Sequence, residues 1–79
     1  MNKSDIEIDW KKEAKSIIKV ELAKRDIDYV ELCNLLERIG VEENAGNIAN
    51  KLSRGTFSFI FALQIFKALG LKKLNLEDI

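Results

Sequence analysis

Amide and cationic side chains recur at helical spacing between positions 44 and 56. The set comprises Asn44, Asn47, Asn50, Lys51, Arg54 and Thr56. Positions 44, 47, 51 and 54 are three or four residues apart, so a helix would present them on one face, with Asn50 beside them. Asn can contact adenine through two hydrogen bonds, and Lys or Arg can contact guanine in the same way. These residue types predict a face that could read base edges in DNA, although an ordinary solvated helix surface also carries them.

The helix that would present this face has a narrow apolar side. Its apolar residues follow the i, i+3, i+4, i+7 pattern of a buried stripe and are Ala45, Ile48, Ala49 and Leu52. Because these side chains are small or of medium size, the helix could lie close to its neighbour. We predict that it begins near Asn44 and ends at Gly55.

Another helix is predicted directly after the turn at positions 54–56. Ser58 is its expected N-cap, and Phe57 is placed to pack onto Ala62 as a hydrophobic staple. Only two side chains between positions 59 and 69 are polar. A helix of this kind has to be surrounded by protein on most sides, either within the monomer or at a dimer contact.

The first helix of the chain is predicted from about Asp9 to Lys24. Its apolar residues follow helical spacing and are Trp10, Ala14, Ile17, Ile18 and Leu22. The start has two alternatives. Residues 4–7 match a capping box that would begin the helix five residues earlier, whereas Ile6 and Ile8 alternate as in a short strand.

The second helix is predicted after an N-cap at Asp28 and ends before Gly40. Its apolar stripe comprises Tyr29, Leu32, Cys33, Leu36 and Ile39. On such a stripe we expect the lone cysteine to be a small buried hydrophobe rather than a reactive thiol. The tail after Gly70 has Leu74 and Leu76 in alternation, which is compatible with a two-stranded pairing to residues 6–8 or with a short fifth helix.

Composition excludes several function classes for these 79 residues, which we interpret as a single domain spanning 1–79. The chain has no His and one Cys, so we expect no metal site, no cofactor, no small-molecule substrate and no enzymatic activity. The N-terminus has no secretory signal, and the longest apolar run is too short to span a bilayer. We therefore expect a soluble cytoplasmic protein that does not bind membranes.

Charge is segregated along a chain whose net charge is zero. No Asp or Glu occurs between positions 44 and 76, where the cations are Lys51, Arg54, Lys67, Lys72 and Lys73. One basic face of a neutral protein can still be attracted to phosphate. Five cations are few for a monomer, so DNA binding by this chain would require a homodimer, which doubles the contacts and fixes a half-site spacing.

Several segments resemble the Cro/repressor-type, or lambda repressor-like, helix-turn-helix superfamily. The stretch 27–33 is placed like the start of its second helix, Arg54-Gly55 followed by Ser58 resembles the end of its recognition helix, and residues 66–70 resemble its "KALG" ending. The spacing departs from that pattern, with about three extra residues between Cys33 and Gly40. The resemblance implies an all-α bundle of four to five helices in which the helix at 44–54 enters the major groove.

The chain more closely resembles a small bacterial domain family that has no assigned function. That resemblance runs from Trp10 to Gly70 and includes the Ala-Lys pair at 14–15, the Tyr-x-x-Leu at 29–32 and the Asn-Lys-x-Ser-Arg-Gly-x-Phe-Ser segment at 50–58. It implies the fold more than the activity. The sequence therefore predicts a small dimeric transcriptional regulator that binds double-stranded DNA. The alternative is a protein-interaction module on the same scaffold that does not bind DNA.

Overall fold

Four α-helices form the structure of this protein, which a computed structural model describes for residues 8–77 and 79. They are α1 (Trp10–Lys24), α2 (Tyr29–Arg38), α3 (Ala45–Arg54) and α4 (Phe59–Ala68). The described part contains no strand, so it is all-helical, and the predicted order of four helices is confirmed. None of these helices is long and apolar enough to cross a membrane.

Each helix begins at a polar N-cap, which explains why the sequence located the starts well. The side-chain oxygens of the caps accept hydrogen bonds from the backbone N–H three residues further on, at 2.8–3.2 Å. The caps are Asp9, Asp28, Asn44 and Ser58. A side chain in this position satisfies one of the backbone donors that the first turn leaves without a partner.

The core consists of apolar side chains from all four helices, with α3 contacting α1 and α2, and α4 packing on α2. Its buried members are Ile18, Leu22, Leu32, Leu36, Ile48, Leu52, Phe61, Ala62 and Ile65. The stripe predicted for α3 is confirmed, because Ile48 and Leu52 are completely buried and the two alanines beside them are half-buried.

Two residues assigned to apolar stripes lie elsewhere. Trp10 is 65% exposed because it is the first residue of α1, and side chains of a helix point toward its N-terminal end, here away from the core. Ile39 is 40% exposed because α2 ends at Arg38, so Ile39 is its C-cap rather than part of its apolar face.

The predictions for the two termini have different outcomes. Residues 71–77 contain neither a helix nor a strand, so the short fifth helix is wrong for that segment, and Leu74 and Leu76 are not paired in a sheet. Ile8 is also outside any helix or strand. The capping box at 4–7 and the remainder of the proposed pairing partner lie outside the described residues.

Candidate nucleic-acid interface

Burial of Ile48 and Leu52 fixes which side of α3 faces outward. At about 100° per residue, the direction opposite these two side chains passes close to Asn47, Asn50 and Arg54. All three residues are exposed. Thr56, two residues past the end of the helix, is exposed as well. The structure thus brings four of the six predicted residues to the outward side of α3 and the turn that follows it.

Asn44 belongs to the start of α3 rather than to its outward face. It is the N-cap, and its side-chain oxygen accepts a hydrogen bond from the backbone N–H of Asn47 at 2.8 Å. The residue remains exposed, but its acceptor is already used within the helix. Its first function is therefore to hold the first turn of α3 in place.

Lys51 lies on the flank of α3 that is next to α4. Its Nζ donates a hydrogen bond to Glu43 Oε2 and lies 4.6 Å from the centroid of the Phe61 ring. The Glu43 side chain is only 8% exposed, whereas that of Lys51 is 42% exposed. The Lys51 ammonium is therefore held between a carboxylate and an aromatic face of its own chain.

Gly55 brings the end of α3 against the start of α1. It has a φ of +68° as the C-cap of α3. A Cβ added at this position would lie 2.6 Å from the backbone carbonyl oxygen of Lys11 and 2.8 Å from its Cβ. This contact adds a further cation, Lys11, to the end of α3 that carries Arg54. No local pattern reveals the contact, since 44 positions separate the two residues in the sequence.

One face of α4 is left uncovered by the rest of the described chain. Phe59, Ile60 and Leu63 are 72%, 69% and 50% exposed. The expectation that α4 is enclosed on most sides is therefore wrong for the monomer, because α2 and α1 cover only its other side. Beside this face, between α1 and α4, is an open apolar cleft of about 280 Å³ that includes Phe59 and Leu74 in its lining.

Cys33 is half-buried on α2 and packs against the core. Burial raises the pKa of its thiol, and the nearby negative charge of Glu43 raises it further. Both effects disfavour the thiolate, which is the nucleophilic form of cysteine. Among the described residues, no three side chains of His, Cys, Asp or Glu are grouped so that they could hold a metal ion.

Comparison with known proteins identifies one family. The family model described as a domain of unknown function (DUF6471) matches residues 10–74. This confirms the resemblance to a domain family without an assigned function, over almost the same residues that suggested it. No curated protein and no solved structure gives a significant match.

Proposed function

We propose that this chain, which belongs to the DUF6471 family of domains of unknown function, is a dimeric helix-turn-helix protein that binds double-stranded DNA. In this proposal α3 enters the major groove and presents Asn47, Asn50 and Arg54 to base edges. The observation that supports it is the two-sidedness of α3, with Ile48 and Leu52 completely buried and the amide and guanidinium side chains exposed. A recognition helix requires this combination of a slim inner face and an outer face of hydrogen-bonding groups.

The packing of α2, α3 and α4 supports a lambda repressor-like bundle. The helix α2 packs against both α3 and α4, as the supporting helix of such a motif does. Six residues, 39–44, connect α2 to α3, whereas the usual helix-turn-helix has a turn of about three or four residues. The chain would therefore be a variant of that motif with a longer turn.

Cations near α3 would supply the phosphate contacts. Arg54 is exposed at the end of α3, and Lys11 lies beside the adjacent Gly55. The exposed Lys67, Lys72 and Lys73 belong to the segment 44–76, which lacks acidic residues. Because this number is small, we expect weak binding by a monomer and a strong dependence on salt.

The uncovered face of α4 would complete the proposal as a homodimer contact. Phe59, Ile60 and Leu63 form a contiguous apolar face at i, i+1 and i+4 spacing. A second copy that packs on this face would bury it and would place two α3 helices in fixed relation to each other. We further propose that the protein is cytoplasmic and has no enzymatic activity.

The direct test is an electrophoretic mobility shift with fragments of the source genome at low salt. The wild type should shift a subset of fragments, and Arg54→Ala should weaken binding by about tenfold or more, since a bidentate base contact contributes about 1–3 kcal/mol. Arg38→Ala is the matched control, because Arg38 is exposed at the end of α2 and should not contact the groove. If the wild type shifts no fragment at low salt, the DNA-binding proposal fails.

A second measurement tests the dimer. Ile60→Glu would introduce a charge into the proposed contact without filling any buried space, because Ile60 is exposed in the monomer. Sedimentation should give a dimer for the wild type and a monomer for the variant, whose helical circular dichroism should be unchanged. A wild type that stays monomeric at high concentration contradicts the homodimer.

The second candidate function is a protein-interaction module, and the same face of α4 favours it. A partner helix with apolar residues at i, i+3, i+4 spacing could bury Phe59, Ile60 and Leu63 in place of a second copy. Stoichiometric recovery of one protein by the wild type, with loss on Ile60→Glu and no nucleic acid present, would support this function over DNA binding.

A further inference from the structure

Three side chains from three parts of the chain meet on one flank of α3. Glu43 belongs to the connection before α3, Lys51 to α3 itself and Phe61 to α4. The Lys51 ammonium donates a hydrogen bond to the Glu43 carboxylate and lies 4.6 Å from the centroid of the Phe61 ring. Phe61 is only 5% exposed, so it offers a fixed surface to the cation.

The environment of Glu43 makes this contact more than an exposed ion pair. Its side chain is 8% exposed, and a carboxylate with so little contact with water is costly unless a cation neutralises it. Among the described residues, Lys51 is the cation that forms an ion pair with it. Removing the Lys51 charge would therefore leave a nearly buried carboxylate without a partner.

The contact also extends past the C-terminal end of α3. Phe57, in the turn after α3, packs edge-on against Phe61, with 6.0 Å between ring centroids and an interplanar angle of 68°. Glu43 before α3 and Phe57 after it are thus joined through Lys51 and Phe61. These four side chains connect both ends of α3 to α4.

We propose that Lys51 is a positioning residue, which sets the orientation of α3 through Glu43 and Phe61, and that it does not contact DNA. The part of this inference that concerns DNA rests on the proposed function. It narrows the base-reading face to Asn47, Asn50 and Arg54. It also removes one positive charge from those that can displace counterions from the phosphates, because Glu43 already neutralises that charge.

The first test needs no DNA and uses a double-mutant cycle with thermal unfolding. Lys51→Met and Glu43→Gln should each lower the Tm by about 4–8 °C or more, and the double variant should lose clearly less than the sum. Glu42→Gln is the matched control, because Glu42 is the adjacent carboxylate and is exposed, so its Tm should change by less than about 4 °C. Lys51→Arg should recover most of the Tm, because it keeps the cation. Additive losses in the cycle overturn the proposal.

The second test measures how DNA affinity depends on salt, with a fragment that the wild type shifts. For Lys51→Met the slope of log K against log salt should equal that of the wild type, even though the affinity falls through the altered position of α3. A residue that contacts phosphate would instead reduce the magnitude of the slope by about 0.9. Such a reduction, or loss of preference at a single base pair, overturns the positioning role.

The two tests separate this inference from the proposed function. If the cycle shows coupling and no fragment binds, the contact between Glu43, Lys51 and Phe61 stands and the DNA-binding proposal falls. If DNA binds normally and the cycle is additive, the reverse holds.

Discussion

Substitution of Gly55 by alanine tests the packing of α3 against α1 most severely. A residue with a side chain pays about 1–2 kcal/mol to adopt the left-handed conformation, which Gly55 has with a φ of +68°. The added Cβ would also lie 2.6 Å from the Lys11 carbonyl oxygen, and a backbone atom cannot move aside as a flexible side chain can. Relieving such a clash costs about 1–3 kcal/mol more. We therefore expect Gly55→Ala to lower the free energy of unfolding by about 2–5 kcal/mol in total.

Two other glycines provide matched controls for the backbone strain alone. Gly40 and Gly70 have φ values of +82° and +72°, and an added Cβ at either position would meet nothing within 4 Å. Their alanine variants should lose only about 1–2 kcal/mol. Urea denaturation followed by circular dichroism measures all three variants. If Gly55→Ala is no less stable than Gly70→Ala, the close approach of α1 to the end of α3 is wrong.

Three further predictions concern a cap, a carboxylate and the thiol. Asp28→Ala should lower the free energy of unfolding by about 1 kcal/mol in urea denaturation, because the Glu31 N–H loses its 2.8 Å acceptor; an unchanged midpoint would contradict the cap. The hydrogen bond from Arg25 at 2.7 Å holds the pKa of Glu21 below its usual value, so this stabilisation is present above the unfolded-state pKa and is lost as pH falls through the folded-state pKa. Glu21→Gln should accordingly be less stable than wild type at neutral pH and equally stable in acid below that folded-state pKa, and a gap that persists there would contradict the cause. Because burial raises the pKa of Cys33, iodoacetamide should alkylate it slowly in the native state at mildly alkaline pH and rapidly in urea; equal rates would show an accessible thiol.

The helices and their ends were predictable because their signals are local. Asp28 and Ser58 were expected to be N-caps, and each accepts the backbone hydrogen bond that defines one. The positive φ of Gly55 fits its predicted place at the end of α3. Caps and terminal glycines act within three or four residues, so spacing alone reveals them.

The surroundings of the candidate site could not be predicted in the same way. The sequence placed Glu43 only in a connection and Lys51 on the outward face, because helical spacing cannot show that a side chain bends back toward α4. The exposure of Phe59 was missed for a related reason. A pattern that is apolar all round shows that a face needs covering, but it does not show whether the same chain covers it.

The segment 50–58, which carries the most specific part of the family resemblance, separates into residues that the fold explains and residues that it does not. Lys51 pairs with Glu43, Gly55 permits the approach of α1, and Ser58 caps α4. Within the described chain, Asn50 and Arg54 are exposed, and neither side chain forms a hydrogen bond or ion pair. Since changes at such exposed positions usually alter stability by less than about 0.5 kcal/mol, a loss of binding in Arg54→Ala can be attributed to the interface itself. The same loss in Gly55→Ala could come from unfolding, so Arg54 rather than the rest of the motif is the residue on which the DNA-binding proposal is decided.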